Sequence, residues 1–341
     1  MLKVTVAIAL YNNAKYVDRC IESVLKQSYT DLEILIIDDG SLDDSFTVCK
    51  KYLADSRVLL IRQSNNGLSS VRQKALSLSS GKYICFIDAD DYLAPDYVKT
   101  MMYQLELSSA DVCICSTLFV DYEDNILKTE TNSFTYKDKV IPFKLSHEKY
   151  SDTTVDYKNR LSLSDSWNKM YRLSFLRKTG IAFILPKGYN GTDAIFNQKL
   201  AYYEPSYVSS SYQGYIHVMY KQSATHRKNK KMQEGFQIQM LQQIDTCNHL
   251  GITDLMRKRL VEYYYTYLLR SFEDVYLENY TSKNLRMILV SMRVKHRHFV
   301  SLHKELNNVV PYDVSYKIFY YILKYAFFLI KPFLLHRLRL K

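Results

Sequence analysis

The sequence predicts an α/β chain: a mostly parallel sheet with helices on both faces, followed by a mainly α-helical region. Three observations carry this. Apolar, β-branched-rich runs alternate with helically spaced segments through the first 117 residues. Those runs are almost wholly apolar, as strands of a parallel sheet covered on both faces must be. From residue 227 onward the chain is tyrosine-rich and basic, with no glycine after Gly251.

In chain order, the runs at 3–10 (KVTVAIAL), 32–38, 58–62, 83–87 and 111–117 predict strands, and 16–29, 44–54, 69–80 and 96–108 predict helices. In the first helix Val17, Ile21, Val24 and Leu25 fall on one stripe. Ser69 and Pro95 suit the starts of the third and fourth. Such alternation implies parallel strands joined by right-handed crossovers. Residues 118–160 read as a loop and hairpin region, and 165–179 (DSWNKMYRLSFLRKT) as a helix. A glycine-bounded turn then leads into a helix whose first turn holds Asp193, and strands at 206–212 and 214–220 follow. The N-terminal apolar run is too short for a signal peptide and lacks a small-residue cleavage site, so it reads as the first strand.

The net charge of +11 is unevenly placed. Residues 221–341 carry 21 Lys and Arg against 9 Asp and Glu, whereas residues 1–220 carry 25 against 26. That asymmetry suggests an anionic partner for the last third, either nucleic acid or an acidic membrane surface. Its basic residues alternate with apolar and tyrosine positions at helical spacing, which favours a helix face over nucleic-acid binding. The segment 316–341 is nearly long enough to span a bilayer, but Lys324, Lys331 and Pro332 interrupt it. It suits an amphipathic helix on an anionic membrane surface, with an ordinary packed C-terminal helix as the alternative. Six scattered cysteines form no zinc pattern and read as reduced, buried thiols of a cytoplasmic protein.

The polar residues carry the chemistry. Tyr11-Asn12-Asn13, Asp38-Asp39-Gly40-Ser41, Asn65-Asn66-Gly67 and Asp88-Ala89-Asp90-Asp91 each follow one of the first four strands. All four clusters therefore fall at carboxyl ends of parallel strands, the edge where open α/β sheets bind ligands. Three aspartates within four positions repel one another unless something positive joins them. An Asp-x-Asp pair at a strand end can hold Mg²⁺ or Mn²⁺, whose other ligands come from phosphate and water; Asp91 then caps the next helix. Neither G-x-G-x-x-G nor G-x-x-x-x-G-K-[ST] is present, which excludes the usual dinucleotide and P-loop sites. Arg72 and Lys74 are candidate phosphate cations.

With these pieces in view, the chain resembles glycosyltransferase family 2, inverting nucleotide-sugar-dependent transferases of the GT-A fold (Rossmann-like), of the kind that builds bacterial cell-surface polysaccharide. The matching segments are VAIALYNNAKYVDRCIESVLKQSY, LEILIIDDGSLDDS, NNGLSSVRQKAL, GKYICFIDADDYLAPDYV, DSWNKMYRLSFL, GTDAIFN and HVMYKQSATH. The resemblance implies a catalytic domain over 1–226, with a nucleotide-sugar-binding half (1–117) and an acceptor-side half (118–226), and leaves 227–341 outside it. It implies that Tyr11 lines the base pocket, Asp39 accepts the uracil N3–H, and Asn66 and Arg72 contact the donor. Asp88 would bind the ribose hydroxyls, Asp90 would ligate Mn²⁺ or Mg²⁺, and Asp193 would be the catalytic base. Lys221 and His226 match positions for a phosphate cation and a metal ligand. One departure stands beside the base, where Thr192 replaces the family's usual glutamate.

The implied reaction is transfer of a hexosyl or N-acetylhexosaminyl group from a UDP-sugar to a glycan or lipid-linked hydroxyl, at the inner face of the cell membrane and without nucleic acid. A sugar nucleotidyltransferase normally has a glycine-rich first turn, which LYNNAKY lacks. A non-catalytic nucleotide-sugar-binding homologue would have no need of Asp39, Asp88, Asp90 and Asp193 together.

Overall fold

The computed structural model describes residues 2–130, 141–142, 165–184, 187, 192–201, 203 and 205–220. The chain divides into two compact units, Met1–Gly235 and Phe236–Lys341, and every described residue belongs to the first. The expected helical region 227–341, the amphipathic helix at 316–341, Lys221 and His226 lie outside the described residues.

The first half follows the predicted alternation: β1 (Val4–Leu10), α1 (Val17–Leu25), β2 (Leu32–Asp38), α2 (Ser45–Cys49, continued by a 3₁₀ turn over Lys50–Ala54), β3 (Val58–Arg62), α3 (Leu68–Leu78) and β4 (Tyr83–Asp88). A two-residue strand β5 (Tyr92–Leu93), α4 (Tyr97–Ser108) and β6 (Val112–Val120) come next. Then follow β7 (Ile126–Glu130), β8 (Ile141–Pro142), β9 (Lys169–Arg172), α5 (Leu173–Thr179), α6 (Thr192–Ala201) and β10 (Ser206–Val218). In α1 the buried residues are Val17, Cys20, Ile21 and Val24, one face at helical spacing. That face joins the inward side of β1, β2 and β4 in a core containing Val6, Ile8, Ile34, Ile36, Cys85 and Ile87.

The sheet runs β3-β2-β1-β4-β9-β6-β10-β5, with β7 on β6 and β8 on β10. β3, β2, β1 and β4 are parallel, as are β6 and β10. The other pairings are antiparallel. β9 runs opposite to both neighbours, β4 and β6, so the mostly parallel sheet that the sequence suggested is mixed at its centre. The helix expected over 165–179 is confined to α5, and its first half includes β9. Met170 faces the core below α1 and α4, and Tyr171 packs edge-on to Phe86 and Phe196 on the other side. Four residues are too few for periodicity to separate strand from helix, and the slot between β4 and β6 decides it. The two strands expected at 206–212 and 214–220 are one strand, β10, with its register shifted on either side of Gln213. Gly214 is required there: a Cβ would come within 2.7 Å of the Tyr97 ring.

The five described cysteines are free and buried, in line with the thiol reading. Among the described residues no helix is long and apolar enough to cross a membrane.

Candidate active site

The parallel register aligns the polar clusters. Leu10 is level with Asp38, Ala9 with Asp88, and Asp38 with Arg62, so the residues just after β1, β2, β3 and β4 share one edge. Tyr11 stands there 42% exposed, available to a flat ligand. Asn12, at φ 51°, folds the turn back onto the Asp38–Ser41 segment. Its backbone N–H donates to Ser41 Oγ and its side-chain oxygen accepts from Leu42 N–H.

Asp39 is buried and organises the third loop. Oδ1 accepts from Gln63 Nε2 (2.8 Å) and the Asn66 N–H (2.9 Å), and Oδ2 accepts from the Gly67 N–H (2.8 Å). A carboxylate offers about four lone-pair positions, so one remains on Oδ2. Gly67 has φ +89°, a conformation that side chains resist, and a Cβ there would meet the Lys187 backbone at 3.0 Å. Asn66 is exposed beside it.

The three aspartates after β4 differ in surroundings. Asp91 is 1% exposed and accepts from Tyr215 OH (2.6 Å), His217 Nδ1 (3.0 Å) and the Val218 N–H (2.9 Å). It therefore anchors β10 and does not cap the next helix, whose N-cap is Asp96. Burial raises the Asp91 carboxyl even against the neighbouring imidazole. The His217 imidazole is itself pushed up to about 9, because its hydrogen bond and charge pairing with Asp91 outweigh burial. Asp90 accepts from Tyr220 OH at 2.5 Å. Burial, and then the charges of Asp91 and Asp88, push its carboxyl up to about 7. Asp88 is partly exposed, and its Oδ1 accepts from Arg72 at 2.8 Å.

Asp193 reaches the same edge from α6. Its Oδ1 pairs with Arg72, and its Oδ2 accepts from the Ser166 N–H at 3.1 Å. Asn197, one turn along α6, donates from Nδ2 to the Asp193 carbonyl, the Asp165 carbonyl and Ser166 Oγ. Its Oδ1 accepts from Tyr171 OH. The structure thus gathers Asp88, Arg72 and Asp193, which come from three separate segments. Arg72, expected at the donor, is 1% exposed with both terminal nitrogens on protein carboxylates.

An uncompensated carboxylate such as Asp90 is a fitting partner for a divalent cation. Burial and two like charges disfavour its ionised form, and a bound cation would reverse that. Among the described residues no three His, Cys, Asp or Glu side chains form a ready-made metal site. Mg²⁺ commonly takes one or two carboxylates and completes its shell with phosphate and water, so the donor set fits.

Several neighbours carried no assigned role in the sequence reading. Tyr220 covers Asp90 and stacks on Tyr16, with centroids 5.2 Å apart. Trp167 stacks on His217 and tilts against Tyr215. Lys169 is fully buried, with Nζ donating to the Asp165 carbonyl and to Asn168 Oδ1. The matched segments DSWNKMYRLSFL and HVMYKQSATH contain these residues; the segments were the signal, and roles were not separable within them.

The family model for glycosyl transferase family 2 matches residues 5–180, more than half of the chain. The chain belongs to glycosyl transferase family 2. This family 2 chain is 30% identical over 199 residues to glycosyltransferase GlyA of Streptococcus pneumoniae, covering 58% of this chain and 28% of that one. It is 33% identical over 184 residues to the putative glycosyltransferase EpsH of Bacillus subtilis, covering 53% of this chain and 50% of that one. To chondroitin synthase of Escherichia coli it is 34% identical over 167 residues, covering 48% and 23%. It thus spans half or less of the length of these relatives. Among solved structures, S. aureus TarS (residues 1–349) superposes with a TM-score of 0.64 at 17% identity, covering 91% of this chain and 81% of that one. The same protein in complex with UDP gives 0.58 at 18%, covering 75% and 70%. These superpositions show the GT-A fold.

Proposed function

We propose that this chain is an inverting glycosyltransferase. It takes a hexosyl or N-acetylhexosaminyl group from a UDP-sugar and passes it, with the help of Mn²⁺ or Mg²⁺, to a hydroxyl of a glycan or lipid-linked acceptor in cell-surface polysaccharide synthesis. The observation that carries this reading is the convergence of Asp88 and Asp193 on Arg72, which joins a donor-side carboxylate to a carboxylate suited to be the base. Family membership, and solved TarS complexes described as holding UDP and UDP-GlcNAc, support the donor class.

In this reading Tyr11 offers its ring to the base, and the remaining lone pair on Asp39 Oδ2 accepts the uracil N3–H. Asp88 holds the ribose hydroxyls. Asp193 accepts the proton of the acceptor hydroxyl as that oxygen attacks the anomeric carbon opposite the nucleotide, a general-base role. One displacement inverts the centre, so no covalent enzyme intermediate is involved. A divalent cation held by Asp90, with His226 as a further candidate ligand, would stabilise negative charge on the diphosphate, and Lys221 would add its positive charge beside that diphosphate. The basic composition of residues 221–341 supports contact with an anionic membrane surface, which suits a lipid-linked acceptor.

The test is a screen of UDP-, GDP- and dTDP-sugars with Mn²⁺ or Mg²⁺, read as thermal stabilisation and as nucleotide release. UDP-sugars should stabilise the protein and turn over only with metal present. Release of pyrophosphate from UTP and a sugar phosphate would instead identify a nucleotidyltransferase.

A further inference from the structure

Arg72 heads the fully buried side chains of the described residues by volume. Its guanidinium lies between two elements. Nη2 donates to Asp88 Oδ1 at the end of β4, and Nη1 pairs with Asp193 Oδ1 in the first turn of α6. One turn earlier on α3, Ser69 Oγ meets Thr192 Oγ1. Residues three apart on a helix share a face, so α3 ties two consecutive residues of α6 with one face. Asp193 Oδ2 is held separately by the Ser166 N–H.

A guanidinium is planar, always charged and fixed in its fork geometry. A buried charge persists when it is paired, and here both pairs are with protein carboxylates. Arg72 is therefore poorly placed to serve as a mobile phosphate cation. Because the fork is rigid, Asp88 and Asp193 cannot move independently of each other. Thr192, where the family usually has glutamate, adds no second carboxylate beside Asp193 to compete for Arg72.

We infer that Arg72 is a positioning residue that sets the orientation and ionised state of Asp193 and couples it to Asp88, so that the ribose-binding carboxylate and the base are aligned as one unit. The inference rests on the reading of Asp193 as base. Its test uses the full chain with Arg72→Lys and Arg72→Met. Lysine keeps the charge but cannot span both carboxylates, and methionine removes the charge. For Arg72→Lys, kcat should fall about 100-fold, the cost of a misplaced catalytic group, while UDP affinity by calorimetry falls by much less, through the loosened Asp88 alone. For Arg72→Met, the acid limb of the pH–kcat profile should move to higher pH, because losing a neighbouring cation favours the neutral carboxyl.

An unchanged kcat in Arg72→Lys, or weak UDP binding with an intact kcat at saturation, would overturn the inference; the second would make Arg72 a donor contact. An unmoved acid limb would overturn it as well. A double-mutant cycle of Arg72→Met and Asp193→Asn on the unfolding midpoint checks the tie without using activity, and zero coupling there would refute it. Should the methionine variants fail to fold, Arg72→Gln, polar but uncharged, crossed with Asp193→Asn gives the equivalent cycle. Failure of the wild-type chain to bind or turn over any nucleotide sugar would count against the proposed function alone, since the cycle would still judge the tie.

Discussion

Replacing Asp91 with alanine should destabilise the protein strongly, whereas the same change at Asp90, one residue away, should not. Among the described residues, Asp91 accepts from three donors: Tyr215 OH, His217 Nδ1 and the Val218 N–H. Tyr215 and Val218 are at most 1% exposed, so water cannot replace the lost acceptor without opening β10. A buried donor left unsatisfied costs about 1–3 kcal/mol, and breaking a buried charge pair costs about 3–5 kcal/mol. A total near 4 kcal/mol is expected for Asp91→Ala, equivalent to a fall in Tm of about 8–16 °C for a domain of this size. Asp90 accepts a side-chain hydrogen bond from Tyr220 and suffers repulsion from Asp91 and Asp88. Its removal should shift stability by no more than about 1 kcal/mol in either direction. Thermal and urea unfolding of metal-free protein measure both. Activity should rank differently, since Asp90→Ala should abolish metal-dependent turnover in a well-folded protein. Equal destabilisation by the two variants, or a loss below about 1 kcal/mol for Asp91→Ala, would refute the division of labour among these carboxylates.

Lys169 gives a pH dependence. Burial lowers its ammonium to about 8 from 10.5, so between those values the unfolded chain binds more protons and stability rises with pH. The full effect is about 3 kcal/mol. Lys169→Met should flatten that slope between pH 8 and pH 10.5 in urea titrations, and parallel slopes would contradict the burial argument. Gly67→Ala should cost about 1–3 kcal/mol, because φ +89° with ψ 166° is a backbone region open essentially to glycine alone. It should also raise the donor KM by displacing the Asn66–Gly67 turn from Asp39; an unchanged KM with reduced stability would detach that turn from donor binding.

The half of the fold that could be read from sequence is the half whose strands are wholly apolar and whose crossovers are local. β1 to β4, and the alignment of their polar ends on one edge, follow from hydrophobic runs and the geometry of parallel sheets. β9 was not legible, because Lys169–Arg172 is shaped by neighbours 55 or more positions away in sequence. The same holds for Asp91, which reads as a helix cap until β10, more than 120 residues later, supplies its donors. Arg72 was visible as an arginine near the start of α3, but burial decides between a phosphate cation and a fixed link between carboxylates. Ser166 and Asn197, which hold Asp193, sat within recognisable segments whose pattern carried no information about hydrogen bonds.

The central claim is that Asp193 removes the acceptor proton while other residues make the contacts to the nucleotide. Its most direct test measures Asp193→Asn beside the wild type, by calorimetry with UDP and Mn²⁺ and by sugar transfer from the donor selected in the nucleotide screen. Asparagine keeps the size of the side chain and cannot accept that proton as a base. The account predicts UDP affinity close to the wild-type value and transfer reduced to background. Full transfer by Asp193→Asn would contradict it.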